Sequence, residues 1–194
     1  MGTARRTLNH FAQTKGVGPV VQMKLNIGCG ADLRKGYLNV DFAKPRSYEH
    51  FKDNGYDLEF MAYDLEATPW PWVDDEVEEI LALNVLEHIN RFDAVWHEIH
   101  RILKPGGRVK IEVVYKNSYD PFHHSLWNKE SIRCLTNGYA TKASPNHAFR
   151  CVDGPHFRHI PSGFPWWHAQ VYLGITLPPI PGTKLHMSFT LEKT

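Results

Sequence analysis

Apolar residues recur along this chain in short runs that alternate with segments of helical spacing, a pattern that predicts parallel βαβ units. The runs "KLNI" (24–27), "GYLNVDF" (36–42), "EFMAYDL" (59–65), "VEEILALNV" (77–85) and "RVKIEVVY" (108–115) read as five strands. Between the last two, Phe92, Val95, Trp96, Ile99, Ile102 and Leu103 fall at helical spacing, leaving Arg91, Asp93, Glu98 and Arg101 for water. Asn90 stands where it can cap that helix, and Pro105-Gly106-Gly107 ends it. "NKESIRCLT" (128–136) suits a short helix. Two last strand-like runs, 168–177 and 184–193, are joined by the turn-rich "PPIPG", a connection that suits antiparallel neighbours. The expected fold class is therefore α/β: a doubly wound sheet, mostly parallel, closed by a C-terminal antiparallel hairpin. Residues 116–167, rich in Pro, Gly, His and aromatics, are expected to cap the C-terminal edge of the sheet, where ligands bind in open α/β folds.

Composition narrows this picture little. A chain of 194 residues supports one sizeable core, so a single domain over 1–194 is expected, with 116–167 as its cap insertion. Residues 1–22 read as a polar lead-in with room for one short helix. The net charge of +1 supplies no strong field toward nucleic acid or an anionic membrane. Residues 116–194 carry eight Lys/Arg against four Asp/Glu, an excess mild enough to be scattered surface charge. The acidic run "DDEVEE" (74–79) reads as a solvated loop and strand entry. Cys29, Cys134 and Cys151 are too widely spaced for a disulfide framework and fit a reducing cytoplasm. No apolar run approaches the roughly 20 residues of a membrane span, and no apolar signal core opens the chain.

The chemistry begins at "KLNIGCGADLRKGYLNVDF" (24–42). Gly28 and Gly30 follow a buried-looking strand, so the chain can turn tightly and leave bare backbone for a ligand. A dinucleotide fingerprint wants a third glycine where Leu33 stands, and a helix N-terminus facing a pyrophosphate. The few residues before the next strand leave room for about one helical turn. Asp41, closing the second strand, can accept hydrogen bonds from a ribose diol. A nucleoside without a diphosphate fits better than NAD.

Over residues 24–115 the sequence resembles the class I S-adenosylmethionine-dependent methyltransferases, of the type 11-like group with a "GYLNVD" second strand. The motifs are "LNIGCG", Asp41, "MAYDLE", "LALNVLEHI" and "RILKPGG", in order and at suitable spacing. The resemblance implies a Rossmann-like, seven-strand fold and S-adenosyl-L-methionine as cofactor. It places Gly28 and Gly30, with Asn26 and Cys29 in the same motif, at the methionine and ribose. It sets Asp41 and Phe42 at the ribose side, Asp64 and Leu65 near the adenine, and Asn84 and Val85 at the end of strand four. Asp64 can instead cap the turn before "TPWPW", and His88, a recurrent family residue, can instead pack or cap. In the resembled group a "D-P-x-H" pattern with a following aromatic and "x-E-S" occupies the place matched by Asp120, Pro121, His123, Trp127, Glu130 and Ser131.

Methyl transfer from a sulfonium is an in-line displacement that needs alignment and, for a protonated acceptor, a base. His123 or His124, with His88 behind them, are the expected catalytic residues, since histidine titrates near about 6.5. Phe164, Trp166 and Trp167 can stack a planar acceptor or form the cap's own core. The H-x-x-H pair His156 and His159, with Cys151 and His168, has a spacing zinc accepts, but no compact cysteine pair supports it, so no metal is expected. The expected acceptor is a small molecule methylated on O or N. A cofactor-binding module without transfer and a nucleic-acid methyltransferase are the competing classes. Against the latter, "NVLE" (84–87) replaces the "[DN]-P-P-[YF]" motif of amino-base enzymes, and the charge is near zero. No membrane partner is expected, and an oligomer is left open.

Overall fold

The computed structural model of the protein describes residues 22–115, 122–136, 149–161 and 183–194. Its seven strands are β1 (Met23–Ile27), β2 (Leu38–Asp41), β3 (Glu59–Ala62), β4 (Val77–Leu83), β5 (Leu103–Val114), β6 (Phe149–Pro161) and β7 (Thr183–Lys193). They form one sheet in the order β3-β2-β1-β4-β5-β7-β6. The first five are parallel; β7 runs antiparallel to β5, and β6 antiparallel to β7. Three helices are described: α1 (Ser47–Asp53), α2 (Phe92–Ile102) and α3 (Lys129–Thr136). The fold class read from the sequence is the one observed, a mostly parallel sheet with an antiparallel C-terminal end.

The central strands are apolar without alternation because both faces are covered. Leu25, Ile27, Val40, Ile80, Ala82, Val109, Ile111 and Val113 are all fully buried. Burial of each large aliphatic side chain contributes about 1.5–3 kcal/mol. On one face α2 seats Val95, Trp96, Ile99 and Ile102 in the core, and the Trp96 ring lies 4.9 Å from that of Phe149 on β6. The segment between β3 and β4 adds two buried indoles, Trp70 and Trp72, whose centroids stand 5.8 Å apart, edge to face.

Several expectations are corrected here. The strand beside β7 is Phe149–Pro161, taken from the stretch expected to be cap, whereas the run expected there (168–177) lies outside the described residues. Glu98 does not face water. It is buried, accepts the Trp70 N–H at 2.6 Å and pairs with Arg101 at 2.6 Å. Burial pushes its carboxyl up, but the Arg101 hydrogen bonds, the Trp70 N–H and the nearby positive charge outweigh that and hold it below the usual carboxylate range. Asn90 makes no side-chain cap for α2. The two N–H groups just before that helix turn to Glu66, which accepts the Asn90 N–H at 3.0 Å and the Arg91 N–H at 3.3 Å. α2 already ends at Ile102, and Pro105-Gly106-Gly107 lies inside β5 at an irregularity in its pairing. The register steps from Val77 opposite Leu103 to Glu79 opposite Arg108.

The chain runs from β1 outward to β2 and β3, then returns to β4 on the other side of β1. Loops leaving β1 and β4 therefore diverge at the C-terminal edge and open a crevice there.

Candidate active site

The loop after β1 contains no helix; residues 28–37 are turns and coil. Two buried asparagines replace it as an organiser. Asn26 Nδ2 donates to Asp32 O at 2.6 Å and to Asn39 Oδ1 at 2.9 Å. Asn39 Oδ1 also accepts the Arg34 N–H at 2.7 Å, and its amide nitrogen donates to the carbonyls of Arg34, Tyr37 and Glu59. Buried polar side chains must find such partners, and these two use theirs to hold the loop closed.

That loop carries Gly28 and Gly30, both at positive φ (59° and 50°). A Cβ on Gly28 would stand 2.1 Å from Val85 Cγ2, so the position accepts only glycine in this conformation. The Gly30 N–H donates to Asp41 Oδ2 at 2.7 Å, which fixes the carboxylate and leaves its other oxygen as an acceptor. Opposite, Asn84 ends β4 at φ 54°, a left-handed conformation that asparagine tolerates. Its N–H donates to Glu112 O at 2.7 Å and its Nδ2 to Glu112 Oε1 at 3.3 Å. Glu112, itself buried, is held in turn by the Arg158 guanidinium on β6, with His186 Nδ1 3.5 Å away on β7.

Beside these strand ends lies a cavity of about 260 Å³. Of the residues expected to bind cofactor, Gly28, Asp41, Phe42, Asp64, Leu65, Asn84 and Val85 line it, and so does His88. Asn26, Cys29 and Gly30 do not. Asn26 acts through the loop, Gly30 through Asp41, and Cys29 carries a buried thiol while its backbone N–H donates to Val40 O at 3.1 Å. Burial, with Asp41 nearby, pushes that thiol up to about 12. Asp64 lines the cavity, and it also makes the turn weighed for it, its Oδ1 accepting the Glu66 N–H at 2.9 Å. Tyr63, Glu66 and Ile89 complete the lining and were missed, although each adjoins a motif residue in "MAYDLE" or "LEHI". The Asn90 N–H, then Asn90's side chain and Arg91, hold the Glu66 carboxyl below its usual range against a smaller opposing effect of burial.

The second wall is built by contact across the fold. Leu86–His88 form a single 3-10 turn after β4. The Glu87 carbonyl accepts the His124 N–H at 2.7 Å and the Ser125 N–H at 3.3 Å, which anchors the 122–127 loop. His88 Nδ1 lies 3.1 Å from Phe122 O, and the His88 and His123 rings meet edge to face at 4.6 Å. The structure thus brings the His88 and His123 rings together, with the His124 backbone anchored beside them. Glu87 beneath them is buried, and burial pushes its carboxyl up.

Other matched residues serve structure. Trp127 is buried in the core, and its Nε1 donates to Ser125 Oγ at 2.8 Å. Asn128 Oδ1 accepts the Glu130 N–H at 2.8 Å and the Ser131 N–H at 3.2 Å, while Ser131 Oγ accepts the Asn128 N–H at 3.1 Å. Glu130 and Ser131 therefore open α3, a reciprocal cap that the N-x-x-S spacing could have announced. Asp120, Pro121, Phe164, Trp166, Trp167 and His168 lie outside the described residues. On β6, His156 contacts Asp153 Oδ1 at 2.8 Å and Cys151 Sγ lies 3.5 Å from Asp153 O, so neither joins His88 and His123.

Residues 25–111 match the family described as a methyltransferase domain. The methyltransferase GfsG of Streptomyces halstedii is 31% identical over 93 residues, which is 47% of this chain and 31% of that protein. The chain thus spans less than a third of the length of that curated relative. Among solved structures, the YcgJ protein of Bacillus subtilis superposes with a TM-score of 0.59 at 16% identity, over 89% of this chain and 92% of the other. The 1,6-didemethyltoxoflavin N1-methyltransferase of Burkholderia thailandensis, solved with its substrate and S-adenosylhomocysteine, gives 0.58 at 16% identity, over 89% and 71%. Motif order, sheet order and the match agree over residues 25–111, and this stretch is a methyltransferase domain of the S-adenosylmethionine-dependent kind.

Proposed function

We propose that the protein transfers the methyl group of S-adenosyl-L-methionine to the oxygen or nitrogen of a small molecule. The observation that carries this reading is the Asp41 carboxylate, held by the Gly30 N–H at the mouth of a crevice between β1 and β4. Residues present fit a nucleoside. Asp41 offers a free carboxylate oxygen for ribose hydroxyls, Gly28 keeps backbone bare, and Leu65 and Phe42 supply apolar surface beside Asp64 for the base. When bound, S-adenosylmethionine supplies an already activated methyl group.

The chain's own task is alignment and exclusion of water. Asn84, locked by Glu112, fixes the end of β4 where the reactive part would lie. His123 and His124 sit on the loop that closes over the turn, and one of them takes the acceptor's proton. The neighbour from Burkholderia, solved with bound 1,6-didemethyltoxoflavin, supports a small acceptor. "NVLE" at the end of β4 and the near-zero net charge argue against nucleic acid.

Labelled S-adenosylmethionine, incubated with the protein and a fractionated metabolite extract, is expected to yield S-adenosylhomocysteine and a labelled small molecule. Tight S-adenosylhomocysteine binding with no product from any fraction would replace transfer by binding alone. NAD binding as tight as S-adenosylhomocysteine, measured by calorimetry, would end the reading altogether.

A further inference from the structure

At the edge of the cavity, the 3-10 turn and the 122–127 loop bring three ligating side chains together. Glu87, His88 and His123 each offer one ligand atom, all within 4.8 Å of one another, the one such group of three among the described residues. Glu87 is 1% exposed; its Oε1 accepts the Val114 N–H at 3.3 Å, while Oε2 accepts no hydrogen bond among the described residues. A carboxylate oxygen buried without a donor is costly, and a bound cation removes that cost. His88 Nδ1 faces the Phe122 carbonyl at 3.1 Å, where only a donated N–H makes a bond, so its Nε2 keeps a lone pair. Histidine ligands are commonly oriented this way, through a carbonyl on the other ring nitrogen.

We propose that Glu87, His88 and His123 form a binding site for a divalent transition-metal ion of the zinc type. Two imidazoles and one carboxylate suit zinc, cobalt, nickel or iron, whereas magnesium and calcium prefer oxygen alone. Ligand atoms about 2.0–2.2 Å from such an ion stand roughly 3–4 Å apart, so side-chain shifts of about 1 Å close the set. Three protein ligands leave a position open, and His88 also lines the cavity. The ion's role rests on the methyl-transfer reading: it would hold an acceptor oxygen and favour its deprotonation, leaving His124 to take the proton. Its binding does not depend on that reading.

The test is a cobalt(II) titration of tag-free protein followed by visible absorption, with zinc as competitor. One ion per chain is expected, displaced by zinc, with affinity falling about 100-fold or more in His123→Ala and Glu87→Gln. S-adenosylhomocysteine binding should persist in His123→Ala, which shows that the fold is intact. Should Glu87→Gln fail to fold, His123→Ala carries the test alone. No cobalt signal, or one that survives His123→Ala, overturns the site; so does a signal removed by His156→Ala instead. Intact cobalt binding without methyl transfer to any acceptor would overturn the enzyme reading and leave the metal site standing.

Discussion

The two walls of the cavity are made in different ways. The wall of Gly28, Asp41 and Asn84 consists of strand ends, each locked by its own backbone or by a neighbour one strand away. The wall at His88 is backed by the loop of His123 and His124; it joins a turn after β4 to a loop after β5, and contacts onto the Glu87 and Phe122 carbonyls hold it. The first is rigid because the sheet register dictates it. The second depends on a docked loop, which under the proposed function is the kind of element that can differ between acceptors while the strand ends stay the same.

The largest expected effect separates the walls by function. His124→Ala should lower turnover by roughly 10²–10⁴ while leaving S-adenosylhomocysteine affinity nearly unchanged. Partial rescue at higher pH is expected for an acceptor that ionises on its own. If calorimetry shows the variant losing cofactor affinity instead, the division between walls collapses.

Gly28→Val attacks the other wall. It forces a branched side chain onto Val85 at positive φ, and overpacking of this kind costs about 1–3 kcal/mol, with backbone strain added. Thermal unfolding should show the loss, and S-adenosylhomocysteine binding should disappear. Binding like wild type would place the nucleoside elsewhere.

Asp41→Ala should weaken S-adenosylhomocysteine by about 1–3 kcal/mol, the range for hydrogen bonds to a charged group. Asp41→Asn sharpens this result, because its carbonyl oxygen can still accept the Gly30 N–H and keep the loop. A loss in Asn as large as in Ala assigns the effect to the carboxylate's charge and not to loop order.

Glu98 is outside the cavity lining, so its effect should fall on stability and not on either wall. Glu98→Gln is expected to destabilise by about 1–3 kcal/mol near neutral pH. The folded pKa of Glu98 is depressed, so its contribution is fully present above the unfolded value near about 4.3 and is lost as pH falls through the lower folded value. The Tm gap between wild type and variant should therefore narrow below about pH 4. A gap that widens on acidification would show that the pair with Arg101 does not form.

The smallest effect is kinetic. The Cys29 thiol, pushed up to about 12, should resist iodoacetamide at neutral pH while the exposed Cys134 reacts. Mass mapping after brief labelling decides this, and early modification of Cys29 would mean that the first wall opens readily.

What was legible before any coordinates was mostly local. Strand runs, the position of α2, and seven residues that line the cavity could be read because strand ends recur at fixed places in a parallel sheet. Glu98 was misread, since helical periodicity marks its face as polar but says nothing of the Trp70 N–H that arrives from another segment. The cap of α2 was misassigned for the same reason: the N–H groups just before it turn to Glu66, distant in sequence. The identity of β6 was hidden too, because a strand rich in histidine and arginine lacks the apolar signature of the central five.

By itself, then, the sequence determined the parallel core and the glycine, aspartate and asparagine positions along one crevice wall, because those follow from periodicity and turn chemistry within a few residues. Only the tertiary structure decided that Glu87, His88 and His123 meet, that Asn26 and Asn39 knit a helix-less loop, and that Glu112 holds Asn84 from β5. Each of those is a contact between segments far apart in the chain or a hydrogen bond chosen among many acceptors, and only the packed sheet selects which partner is near.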